Sequence, residues 1–173
     1  MTAKKERIVA AALELFAEYG FNGTSTMKIA KKAQVSEGLI FKHFKNKQGL
    51  LAHLITELEA KIESNFGSIL NETDPKTVLR KSIESIFNVP KSEYDSWRLQ
   101  YLLKMDKRYF VPDQNRPYVE HAEVAFKALG YAHPEQEAIL FYEILDGLFL
   151  SLIRNTISNR KHFRTFLLGK YQL

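Results

Sequence analysis

Residues 26–51 read TMKIAKKAQVSEGLIFKHFKNKQGLL, and the organisation of the whole chain follows from how this stretch folds. Ile29, Ala30 and Ala33 recur at the spacing of one helix face, so a short helix is expected over about 25–32, capped by Thr24 or Ser25. Gln34-Val35 interrupts the pattern. Ser36 then stands where a cap belongs, ahead of a second short helix to about His43. Asn46 is placed to cap a long helix over about 47–70. Ile29, Ala30, Ala33, Val35, Ile40 and Phe44 can fix the crossing of the two short helices. Ser36, Glu37, Gly38, Leu39, Lys42 and His43 are left on the outer face of the second.

Upstream, Ile8, Ala11, Ala12, Leu15, Phe16 and Tyr19 predict a helix over about 3–19, ended by Gly20 and the Asn22-Gly23 turn. Downstream, Pro75 suits the first turn of a helix to about 88. Another, over about 92–109, carries Trp97, Tyr101, Leu102 and Met105. Pro112 and Pro117 bracket the start of a helix that ends at Leu129-Gly130. Pro134 opens a strongly apolar one to about Thr156, and a last fills about 160–171. No strand alternation, repeat or low-complexity tract is present. The expected class is all-α, about nine helices, with a three-helix head over 1–47 and a larger helical body over 48–173.

Charge separates these two parts. Residues 1–50 hold nine Lys or Arg against four Glu, while the remaining residues hold sixteen of each sign, so the whole net charge of +5 lies in the first third. A localised basic field favours a polyanion, because each neutralised phosphate releases condensed counterions. At 45% hydrophobic and 26% charged the composition is that of an ordinary globular protein. The absence of cysteine excludes disulfides and Cys-based metal sites. The apolar stretch from Ile8 to Leu13 is too short for a signal core. No run approaches the ~18 apolar residues of a membrane span. A soluble, cytoplasmic protein without membrane contact is expected.

Two short helices joined by a tight turn can present the second to the major groove of DNA, which is wide enough for a helix. The residues of this stretch resemble the N-terminal domain of the TetR family of transcription regulators. They share an Ile-Ala pair (Ile29-Ala30), a small residue (Ala33), a turn ending in Val-Ser (Val35-Ser36), then Gly38, Ile40-Phe41, His43-Phe44 and Lys47 in register. Ala12, Leu15, Phe16 and Gly20 fit the helix before them, so the likeness covers about residues 5–55. It implies a ligand-responsive repressor that binds a pseudo-palindromic double-stranded DNA operator, contacted through Thr26, Ser36, Glu37, Gly38, Leu39, Phe41, Lys42, His43 and Lys47. Thr26, His43 and Lys47 would hold phosphates, Lys47 aided by the positive end of the fourth helix. Gly38 would let the backbone approach DNA closely, and Leu39 and Lys42 would face base edges. Gln34 stands where the family has a turn glycine, Phe41 where tyrosine is common, and Glu37 sets an acid beside the DNA. These departures bear on the operator sequence rather than the mode of binding.

Residues 134–157 are apolar around most of the helix, more than one buried face requires. The resemblance implies that the last two helices form a homodimer interface, through Leu140, Ile144, Gly147, Leu148, Phe163, Phe166 and Leu167. It also implies a pocket for a small apolar or aromatic ligand, with Trp97, Tyr101, Tyr109, Phe126, Phe141 and Tyr142 as candidate lining. The pairs His53 with Glu57, Glu120-His121 with Glu123, and Glu143 with Asp146 are the places to look for an enzyme. None has a third partner or a Gly-rich loop, so neither enzyme activity nor a metal or other cofactor is expected. A sequence-independent architectural DNA binder is the remaining alternative.

Overall fold

A computed structural model describes residues 3–173. Among them are nine α-helices and no strand: α1 (Ala3–Tyr19), α2 (Thr26–Ala33), α3 (Glu37–Phe44), α4 (Lys47–Leu70), α5 (Pro75–Asn88), α6 (Tyr94–Lys104), α7 (Arg116–Ala128), α8 (Pro134–Ile153) and α9 (Arg160–Lys170). A single 3₁₀ turn, Lys91–Glu93, leads into α6. No helix of the described residues is long and apolar enough to cross a membrane.

The chain forms two compact units, residues 1–61 with 92–110, and residues 62–91 with 111–173. Sequence reading divides the chain at 47/48; the first unit instead runs on into α4 and takes in α6. Packing accounts for this. Ile8, Ala12, Phe16, Ile29, Ile40, Leu50, Leu51 and Leu54 form one core with Leu99 of α6, and Leu103 and Tyr109 lie against it. Lys61 on α4 donates to Ser96 Oγ on α6 at 2.8 Å. Tyr19, grouped by its spacing with the buried face of α1, is exposed at the helix end, with the Lys28 ammonium over its ring.

The expected helix over 92–109 ends early, at Lys104. Asp106 is the reason: its carboxylate accepts from the backbone N–H of Arg108 at 3.0 Å and from the Arg108 guanidinium. Such local bonds offer the backbone an alternative to the helix. The guanidinium and that amide hold the Asp106 carboxyl down at about 2.

In the second unit, Val78, Leu79, Ile83 and Ile86 of α5 join Ala122, Ala125 and Phe126 of α7 and the inner face of α8. Phe126 and Phe141 meet edge to face at 5.5 Å, and Tyr171 packs on both at 5.8 and 5.0 Å. Asp74 caps α5 by accepting from Thr77 N at 2.8 Å, ahead of Pro75. Arg160 and Arg164 tie α9 to α5, the first through the Phe87 carbonyl at 2.7 Å and the second through Glu84 at 2.5 Å.

Candidate nucleic-acid interface

The geometry of α2 and α3 is set by their ends. Of the two candidate caps for α2, Ser25 is the one used, accepting from Lys28 N at 3.2 Å. Thr24 is buried, and its hydroxyl shares one proton between the Leu15 and Gly20 carbonyls at 3.0 and 2.9 Å. Gln34 ends α2 in the left-handed region, at φ 54° and ψ 50°. The Gln34 N–H bonds the Lys31 carbonyl at 3.2 Å and the Val35 N–H reaches back to Ala30 at 3.0 Å. This is a Schellman closure, in which glycine is the usual residue. The turn thus has the conformation a glycine there implies, held by a residue for which it costs about 1–2 kcal/mol.

Ser36 occupies the N-cap position of α3, but its side chain makes no capping bond, contrary to the sequence expectation. Ser36 is exposed, as are Gly38, Lys42 and Phe41, the last 45% exposed. A Cβ added at Gly38 would meet no atom of the chain within 4 Å. Inside, Ile40 and Phe44 lock the helix onto the core. Leu39 is half-buried against that core, and His43 is half-buried with its ring tilted beside Phe44 at 6.1 Å. Asn46 caps α4 as expected, accepting from Gly49 N at 2.7 Å.

Two of the expected phosphate-holding residues already have partners. Thr26 Oγ1 donates to Glu37 Oε1 at 2.6 Å, joining the first residue of α2 to that of α3. Lys47 Nζ donates to the carbonyls of Phe21 and Thr24, both at 2.8 Å, and lies 4.2 Å from the centre of the Phe21 ring. It pins the α1–α2 turn to the start of α4. Sequence reading missed this clamp, because nothing local shows that Lys47 meets the carbonyls of Phe21 and Thr24. Replacing Lys47 by Met is expected to cost about 2 kcal/mol, because two carbonyls lose a charged donor. Urea unfolding measures this, and an unchanged midpoint would exclude the clamp.

The remaining candidates are scattered. Trp97, Tyr101 and Tyr109 belong to the first unit, whereas Phe126, Phe141 and Tyr142 belong to the second. Phe126 and Phe141 are spent in the aromatic core already described. Tyr142 is half-buried, and its phenol is pushed up by burial and by Asp146, Glu143 and Tyr118. Of the interface candidates, Leu140 and Phe166 are 57% and 59% exposed, and Phe163 and Gly147 are also exposed. Ile144 and Leu148 are half-buried. Leu167 is only 2% exposed, since the turn of α9 that carries it faces the α5 side of its own core. Among the pairs considered for enzyme chemistry, His53 stands 3.5 Å from Glu57, Glu120 pairs with Arg116, and His121 Nε2 bonds the Glu72 carbonyl at 2.9 Å. No group of three or more His, Asp or Glu that could hold a metal exists among the described residues.

A small, well-cored head with a basic outer face and a two-helix crossing defines a helix-turn-helix protein. Residues 8–54 match the model of the bacterial regulatory proteins of the tetR family. The match spans the helix-turn-helix region, and the likeness to that family rests on it. It is 45% identical over 74 residues to the HTH-type transcriptional regulator YvkB of Bacillus subtilis, covering 43% of this chain and 37% of that one. Across the first curated relatives the matched lengths span from 37% to 66% of the relative. A TetR-like transcriptional regulator from Rhodococcus sp. RHA1 has the same fold, with a TM-score of 0.80 at 18% identity, over 95% of this chain and 91% of that one. The transcriptional regulator FadR from Bacillus subtilis, solved in complex with stearoyl-CoA, gives a TM-score of 0.66 at 19% identity, over 95% and 96% of the two chains.

Proposed function

We propose that this protein is a ligand-responsive transcription regulator that binds a pseudo-palindromic operator as a homodimer. The observation that carries the reading is the outer face of α3. It joins a glycine with open space around it to an uncapped serine, an exposed lysine and an exposed aromatic ring. A glycine that no neighbour within the chain requires fits a close approach by something outside it. Ser36 and Gly38 bring the backbone to the DNA, Leu39 and Lys42 read base edges, with a thymine methyl the natural partner of Leu39, and Phe41 offers a packing surface beside them. Thr26, His43 and Lys47 hold phosphates. Two of the three Lys47 ammonium protons serve the α1–α2 turn, leaving one for this contact. The regulator works in the cytoplasm, where its DNA is.

Dimerisation rests on the apolar residues that α8 and α9 leave outside: Leu140, Phe163 and Phe166, with Ile144 and Leu148 beside Gly147. Large apolar side chains left exposed on neighbouring turns of a helix fit an interaction surface. Two heads then read half-sites about 34 Å apart. The ligand is small and apolar, held in the second unit with the Tyr142 phenol as its polar handle. The stearoyl chain of the stearoyl-CoA bound by the Bacillus subtilis FadR supports the apolar character of the ligand. It switches the protein only by preferring the form that cannot bind DNA.

Selection from random duplexes followed by footprinting tests the reading, together with light scattering at micromolar concentration. A short two-fold-symmetric site and a dimer are expected. Protection that ignores sequence would replace the regulator with an architectural binder, and a monomer would remove the two-head arrangement.

A further inference from the structure

Glu37 lies on the surface assigned to DNA, yet it carries a negative charge. Its Oε1 accepts from Thr26 Oγ1 at 2.6 Å. Both residues are half-buried, each opening its helix. A threonine hydroxyl has one proton to give. While Glu37 holds it, that proton cannot go to a phosphate, and the carboxylate also repels the phosphodiester that would compete for it.

We infer that Glu37 is a specificity-determining residue that keeps the Thr26 hydroxyl in the free protein and yields it to the DNA backbone on binding. This rests on the DNA-binding reading and deepens it. Once released, the carboxylate has lost its donor and lies among negative charges. Only an amino group on a base edge restores its hydrogen bond, and cytosine N4 is the preferred donor for a carboxylate in the major groove. A duplex that offers acceptors at that position leaves the carboxylate desolvated and unpaired, which is costly. Phosphate gripping and base reading are thereby joined through one side chain: the grip at Thr26 is complete only where the base opposite Glu37 can take over as donor.

The test measures affinity for the selected operator and for a random duplex at one salt concentration, with wild type, Glu37→Gln and Glu37→Ala, each with and without Thr26→Val. Gln keeps the shape and the acceptor for Thr26, so it removes the charge with little risk to the fold. Both Glu37 variants are expected to bind random duplex on the order of tenfold tighter, and to gain less on the operator, so discrimination shrinks. In the Thr26→Val background the gain from Glu37→Ala should be smaller, because no hydroxyl is left to release. Unchanged discrimination in both Glu37 variants, or an equal gain with and without Thr26, would overturn the role of Glu37 and leave DNA binding standing. A wild-type protein that binds no duplex would overturn the DNA-binding reading itself.

Discussion

Gly38→Ala is expected to lower operator affinity about 10- to 100-fold, the 1–3 kcal/mol that a good base-edge contact carries, without lowering the melting temperature. Two observations separate these effects. The added methyl meets nothing within 4 Å, and the residue is exposed. Within a helix, alanine is favoured over glycine by about 0.5–1 kcal/mol, so the isolated protein should gain slightly in stability. Any loss of binding then arises outside the chain, where the methyl holds the backbone of α3 away from the duplex. Melting curves and fluorescence anisotropy with the selected operator measure the two quantities independently. Equal affinity in the variant would mean that the first turn of α3 does not touch DNA.

Gly49→Ala is expected to do the opposite, lowering stability by about 3 kcal/mol, at the upper end of what overpacking costs. A Cβ here would lie 2.0 Å from the carbonyl oxygen of Phe44 and 3.2 Å from its carbon. Both are backbone atoms and cannot swing aside. The end of α3 or the start of α4 must move, and the 2.7 Å bond from Gly49 N to the Asn46 side chain moves with it. Urea unfolding at equilibrium reads the loss. A variant as stable as the parent would show that the α3–α4 turn has slack that the geometry denies.

These two glycines show what the sequence could and could not reveal. Each sits in the same short stretch, and in a one-dimensional reading both are merely small residues near helix starts. Gly38 is distinguished by its place in the family pattern; Gly49 is distinguished by a carbonyl that only folding brings near. Helix positions were legible because periodic apolar residues and capping chemistry are local: α1, α4 and α5 begin and end where their residues say. The helix over 92–109 fell short because Asp106 found a partner two residues on, a competition that periodicity does not register. The exposure of Ser36, Gly38 and Lys42 was legible from register alone. What stayed hidden were pairings across the fold, such as Thr26 with Glu37, eleven residues apart, and Lys47 with the carbonyls of Phe21 and Thr24. Leu167 was misplaced for a related reason, since a helix with apolar residues on two sides does not say which side its own core will claim.

The first unit is not one continuous piece of chain. The polypeptide leaves it after residue 61, returns at 92 and leaves again at 110, so it crosses between the units three times. A head hung on one linker could be cut out and studied alone, or grafted onto another body. Here, excising residues 1–61 would strip Leu99 from the middle of the head core and Ser96 from Lys61. The excised piece would be a truncated fold, with a cavity where α6 had been.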